Sequence, residues 1–300
     1  MTEVKNYTHV PVLLKEVVAY LNITSGSIIL DGTLGGGGHA RECLKGIGAN
    51  GRVIGIDKDL DAIDRVKGSL KKFEDQITYV HDDFRNIARI LKSIGIEMLD
   101  GAIFDFGMSS FQVDDEKRGF CFLKDGPLDM RMDSRQELSA NDVVNKFSKE
   151  VLTDIIKEYG EERHAKLAAS AIVRARKKKR IETTLELVSV LSSALGAKYS
   201  RQKIHIAART FQALRIYVND ELNAVEEAVK NTIRFLNPGA RIIVISFHSL
   251  EDRIVKNIFR EMVKDGKMRI ITKKPVCPGQ DEIMKNPRSR SAKLRVAERV

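Results

Sequence analysis

Asp31, Asp57 and Asp105 each close a short apolar run, and the first opens the stretch Asp31-Gly32-Thr33-Leu34-Gly35-Gly36-Gly37-Gly38-His39. Glycines where a strand turns into a helix let the backbone approach a ligand that a Cβ would exclude, so this turn suits a nucleotide-like group. Asp57 ends the second run, 22 residues after Gly35. An acid there can accept hydrogen bonds from both hydroxyls of a ribose. The third run is followed by Asp82-Asp83-Phe84, types suited to an adenine amine and ring. Asp105 ends the fourth, at the carboxyl edge where open α/β sheets bind their ligands.

Two cofactors compete for this pattern. Gly35-x-Gly37-x-x-Ala40 satisfies the dinucleotide fingerprint, which makes a nicotinamide-dependent dehydrogenase the rival reading. Acids at successive strand ends repel a pyrophosphate and attract a cationic sulfonium, which places S-adenosylmethionine ahead. Asp105-Phe106-Gly107 spells the kinase magnesium triplet, but no His-Arg-Asp loop or Val-Ala-Ile-Lys strand accompanies it. His39, His205 and His248 fall in no metal-ligand spacing, so no metal is expected. A non-enzymatic RNA-binding module would need no ribose-type pocket.

The elements that must position these residues follow from the same runs. Residues 27–31, 52–57, 77–81 and 101–105 read as buried parallel strands with helical stretches between them, the alternation of a doubly wound α/β sheet. The rhythm breaks after Asp105. From about 114 to 215 the sequence has polar turns and then helical patterns, such as 151–159 and 161–178, without convincing strands. It then carries Leu222, Val225, Val229, Ile233 and Leu236 on one helical stripe, with Asn237-Pro238-Gly239 as the stop. Strand grammar returns at 240–246, and 268–272 and 293–297 are candidates for the far edge of the sheet. The expected organisation is a methyltransferase-type sheet domain in two parts, 1–113 and 216–300, around a helical insertion at 114–215.

Composition sets the partner class. Lys and Arg number 51 against 41 Asp and Glu, a formal net charge of +10, which favours a polyanion. Residues 174–180 hold six positive charges in seven positions, with Arg201, Lys203 and Arg209 later and Arg288, Arg290, Lys293 and Arg295 near the end. Such runs contact RNA or DNA, or are simply solvated helix ends. Cys43, Cys121 and Cys277 form no Cys-x-x-Cys pair, so neither a disulfide framework nor a zinc site is suggested and a cytoplasmic setting is expected. No apolar run reaches the roughly 18 residues of a membrane span, and residues 1–6 have no secretory pattern.

These residues also fall into longer motifs: His9-Val10-Pro11-Val12-Leu13-Leu14, the turn at 31–39, and Asp105-Phe106-Gly107-Met108-Ser109-Ser110-Phe111-Gln112. Further along are the segments 125–133, 159–163, 210–215, 245–253 and 286–291. In this order, and over nearly the whole length, the chain resembles the bacterial small-subunit ribosomal RNA (cytosine-N4)-methyltransferases of the RsmH, or MraW, type. The resemblance implies a class I, Rossmann-like sheet with an inserted helical domain, and methylation of a cytidine in the decoding region. It also implies S-adenosylmethionine binding by Gly37, Gly38, His39, Asp57, Phe84, Asp105 and Gln112. Phe106, Met108, Phe111, Cys121 and Ile206 stand where that family usually has Leu, Val, Pro, Ser and Pro, which puts local loop geometry near the target base in question more than the reaction.

For the chemistry, Asp105 with Ser109 and Ser110 is the candidate cradle for the attacking amine. Asp105 could instead hold the methionine amine of the donor. Phe247 and His248, after the fifth strand, are candidates to stack on or hydrogen-bond the target base, or else only pack.

Overall fold

The computed structural model describes residues 11–199 and 204–300. His9, Val10, Arg201 and Lys203 lie outside the described residues, as does the side chain of Ser110. The strands are β1 (Ile28–Asp31), β2 (Arg52–Asp57), β3 (Ile77–His81), β4 (Leu99–Asp105), β5 (Leu236–Ser246), β6 (Met268–Ile270) and β7 (Lys293–Arg299). They form one sheet in the order β3-β2-β1-β4-β5-β7-β6. The pairs among β1 to β5 are parallel, and β7 runs antiparallel to both β5 and β6. This is the class I methyltransferase sheet, with the order reversing at β1 and β4, where the crevice for a ligand opens.

In chain order the helices are α1 (Leu14–Leu21), α2 (Gly38–Gly46), α3 (Leu60–Ser69), α4 (Ile87–Ser93), α5 (Ser110–Asp114), α6 (Ala140–Lys146) and α7 (Lys149–Glu158). They continue with α8 (Ala165–Arg176), α9 (Thr184–Tyr199), α10 (Ala208–Asn219), α11 (Glu221–Ile233), α12 (Ser249–Lys264) and α13 (Gln280–Lys285). The chain divides into two compact units, residues 1–107 with 222–300, and residues 108–221. The sequence-based limits of 114 and 215 fall inside the second unit.

In the first unit, alternate residues of each strand feed two cores. Ile29, Val53, Ile103, Ile243 and Leu294 pack with α1, α2 and α3 on one face. Leu30, Ile54, Phe104, Val244 and Ala297 pack with α4, α11 and α12 on the other. A sheet covered on both faces needs apolar residues in unbroken runs, which is why its strands stand out in the sequence. The second unit has a separate core, built from α6 to α10 around Leu152, Ile156, Ile172, Leu187, Leu191 and Leu214.

The structure corrects the expected helix with Leu236 on its stripe. α11 stops at Ile233, and Leu236 begins β5, with Asn237, Pro238 and Gly239 inside the strand. A register shift between Leu99 and Gly101 on the neighbouring β4 accommodates them. β6 is also shorter than expected, ending at Ile270.

Candidate active site at the carboxyl edge of the sheet

The carboxyl ends of β1, β2 and β4 bring Asp31, Asp57 and Asp105 to one edge of the sheet. The turn after β1 is pinned on both sides. Leu34 donates its amide to the Ile56 carbonyl at 2.9 Å, and Thr33 Oγ1 accepts the Asp105 amide at 2.6 Å. Gly37 caps α2 at φ +70°, where a Cβ would also strike Val66 Cγ1 at 2.6 Å. Gly35, at φ +49°, differs: a Cβ there would meet nothing nearer than the Thr33 carbonyl at 3.7 Å. The backbone at Gly35 therefore presents an open side that a ligand can approach.

Asp57 faces this turn. Its Oδ2 accepts the Gly35 amide at 2.8 Å and its Oδ1 the Asp59 amide at 2.9 Å, so the carboxylate fixes the loop while each oxygen keeps a further lone pair. Burial nonetheless pushes its pKa up. Asp31 is almost fully buried, and desolvation, with Asp57 adding repulsion, pushes its pKa up to about 7 against the opposing amides of Thr33 and Ala40.

Asp105 is the least satisfied group. Its Oδ1 is buried with no hydrogen-bond partner among the described residues, and its Oδ2 lies 3.9 Å from His39 Nδ1. Burial, then Asp31 and Glu251, push its pKa well above the usual carboxylate range. The buried His39 has its Nε2 3.0 Å from the Val12 carbonyl. A carbonyl only accepts, so Nε2 carries a proton and Nδ1 is turned toward Asp105. Gly38 opens α2 just before His39.

Phe84 packs edge-on to Phe104 at 6.0 Å between ring centroids and tilts against Phe106 at 5.7 Å, with Lys58 Nζ 5.9 Å above its ring. The two acids before it are taken up locally. Asp83 holds the Arg85 amide and guanidinium, and Asp82 holds Asn86 and Arg89.

Of the candidates beyond β4, Ser109, Ser110 and Gln112 are placed in the second unit, whereas Phe247 and His248 belong to the first. Ser109 Oγ accepts the Gln112 amide at 3.2 Å, and Gln112 Oε1 accepts the Ser109 amide at 3.1 Å, a reciprocal capping box that starts α5. Ser110 is the first residue of that helix. His248 caps α12 in the same manner: its Nδ1 accepts the Glu251 amide, and the Glu251 carboxylate accepts the amides of Phe247 and His248. Its Nδ1 is thereby committed to the helix start, whereas its buried Nε2, 3.1 Å from Glu251 Oε1, has no hydrogen-bond partner among the described residues. Thr33 and Glu251 are site residues that sequence reasoning misses. Glu251 is signalled by its place three residues after His248, as in a capping box, whereas the bond from Thr33 to β4 leaves no local signal.

The residues fit a donor with a ribose and a cationic head. An open glycine backbone lies beside Asp57, and an unpartnered buried acceptor stands on Asp105.

Comparison with known proteins agrees in length and order. The profile described as the MraW methylase family matches residues 6–300. The Ribosomal RNA small subunit methyltransferase H of Halothermothrix orenii is 52% identical, over 97% of this chain and 98% of that protein. Its counterpart in Carboxydothermus hydrogenoformans is 46% identical, over 98% of each. Among solved structures, a Clostridium thermocellum protein described as an rRNA-methylase superposes with a TM-score of 0.48 at 12% identity, covering 97% of this chain and all of that one (100%).

Proposed function

The chain belongs to the MraW methylase family, and from that premise we propose that this small-subunit ribosomal RNA methyltransferase, with S-adenosylmethionine as methyl donor, modifies the N4 amine of a cytidine in the decoding region. The observation that carries the chemistry is the buried, unpartnered Oδ1 of Asp105 at the end of β4. When bound, S-adenosylmethionine supplies an electrophilic methyl group on a positively charged sulfur. Asp57 takes the ribose hydroxyls, the Gly37-Gly38 turn and His39 line the donor, and Phe84 packs at the adenine.

The cytosine amine is a weak nucleophile because its lone pair is delocalised into the ring. Placing it in line with the methyl group supplies much of the rate. An acceptor for its hydrogens helps the nitrogen rehybridise and disperses the charge that develops on it. Asp105 Oδ1 is that acceptor. A stacked cytosine must leave the helix to reach it. The helical insertion grips the RNA, the substrate is rRNA in the assembled small subunit, and the reaction takes place in the cytoplasm. Among the described residues no helix is long and apolar enough to cross a membrane.

Small subunits from a strain lacking this activity, incubated with the protein and radiolabelled S-adenosylmethionine and then digested, should yield label in N4-methylcytidine from the decoding region. Label in another nucleoside, or in none, overturns the assignment.

A further inference from the structure

The basic run at 174–180 does not act as a unit in the folded second domain. Arg176 turns inward, its Nη1 donating to the Val144 carbonyl at 2.6 Å and its Nη2 to the carbonyl of Phe147. Lys179 pairs with Glu186 at 2.5 Å, and Arg180 donates to Asn141 Oδ1. Arg174, Lys177 and Lys178 remain exposed, and among the described residues no hydrogen bond or ion pair engages their side chains.

Two of these three cations share a groove. Arg174, on the last turn of α8, and Lys178, just beyond it, line one wall of a groove of about 280 Å³ between α8 and α9. Ser189 and Ser193, one turn apart and exposed on α9, line the other wall, and Ala171 and Ala194 are among the small residues of its floor. No acid lines it. A second groove of this domain, lined by Asp129, Glu137, Asp142 and Glu182 together with Arg131, is mainly acidic.

The geometry points to the α8–α9 groove as a phosphate-binding track for RNA, with Arg174 and Lys178 taking phosphate oxygens and the hydroxyls of Ser189 and Ser193 donating to the same backbone. The Ser193 hydroxyl, which rests on the Ser189 carbonyl at 2.9 Å, reaches a phosphate by rotating about its Cβ. This rests on the reading of the chain as an rRNA methyltransferase and adds where, on the helical domain, the polyanion is held. Cations neutralising phosphates fit a duplex or a single strand and carry no sequence information. The small floor leaves the sugar–phosphate chain room to lie along the helices. The competing reading is that cations near the end of α8 merely complement its negative dipole, which asks nothing of α9.

The intact protein carrying R174Q/K178Q is compared with K177Q, a neighbouring cation outside the groove, for binding to protein-free small-subunit rRNA between about 50 and 200 mM salt. The slope of log affinity against log salt should fall by about 0.7–0.9 for each phosphate no longer neutralised, about 1.4–1.8 for the double variant, and stay unchanged in K177Q. S193E, which places a negative charge in the groove, should weaken binding further. S-adenosylmethionine affinity and the unfolding midpoint, measured alongside, should not move. An unchanged slope in R174Q/K178Q, or an equal fall in K177Q, overturns the groove. Weakened binding to assembled subunits with normal binding to naked rRNA also overturns it, by assigning the groove to a ribosomal protein. Failure of the nucleoside assay would count against the reaction alone, since the salt slope is read without turnover.

Discussion

At Asp105 one oxygen is turned toward His39 Nδ1 and the other is buried without a hydrogen-bond partner among the described residues. An acceptor left in that condition costs about 1–3 kcal/mol, a cost a native protein retains where a ligand will supply the missing donor. Two donors compete for it, the ammonium of the methyl donor and the amine of the target base. Asp105→Asn separates them, because it keeps the shape and replaces one acceptor oxygen with an amide donor. If the base is the partner, single-turnover methylation at saturating donor and rRNA should slow by about 10²-fold or more, with a smaller loss of donor affinity and normal RNA binding. A rate constant near wild type would leave Asp105 only the role of holding the donor. His248 offers a second candidate at this scale through Nε2 only, which is buried without a hydrogen-bond partner among the described residues, because its Nδ1 and the Glu251 carboxylate are engaged in starting α12. The three acids at strand ends are legible in sequence because each closes an apolar run. The orphaned oxygen is not, because it depends on what segments distant in sequence leave uncovered.

Among elements, the same division separates local signals from tertiary ones. β1 to β4 are readable because burial on both faces demands continuous apolar residues. The start of β5 is not, because Asn237-Pro238-Gly239 has the composition of a helix stop, whereas the register shift on β4 lets the strand tolerate it. The run at 174–180 shows its charge in sequence but not its direction. Arg176 reaches two carbonyls at the C-terminal end of α6, Val144 and Phe147, groups a helix leaves without intrahelical donors. Arg176→Met, which keeps the apolar stem and removes the donors, should therefore destabilise the helical domain by about 1–3 kcal/mol in urea unfolding, without changing the salt slope of RNA binding. A lower slope with unchanged stability would return Arg176 to the RNA-facing group.

For the whole molecule, two sets of carboxyl groups pull stability in opposite directions with pH. Asp142, Asp252 and Glu298 are held below the usual carboxylate range by partners that include Lys146, Arg295 and Arg241 respectively. Their contribution is present above the unfolded value of about 4 and is lost as pH falls through the folded one. Asp31 is the reverse case. With its folded pKa raised to about 7, the folded state holds a proton that the unfolded chain has already released, so stability contributed at low pH is lost as pH rises from about 4 to about 7. Beside a cationic sulfur Asp31 ionises more readily, so binding of S-adenosylmethionine should release a proton below about pH 7 and tighten as pH rises. S-adenosylhomocysteine, neutral at sulfur, provides the control with the same ribose and adenine. Urea midpoints at about pH 6 and about pH 8, with each ligand at equal concentration, should show the stabilisation by the methyl donor outgrowing that by the product at the higher pH, and Asp31→Asn should abolish the difference. Equal growth for the two ligands would mean that the Asp31 proton is blind to the sulfur charge, and the acids at the sheet edge would then serve the turn alone.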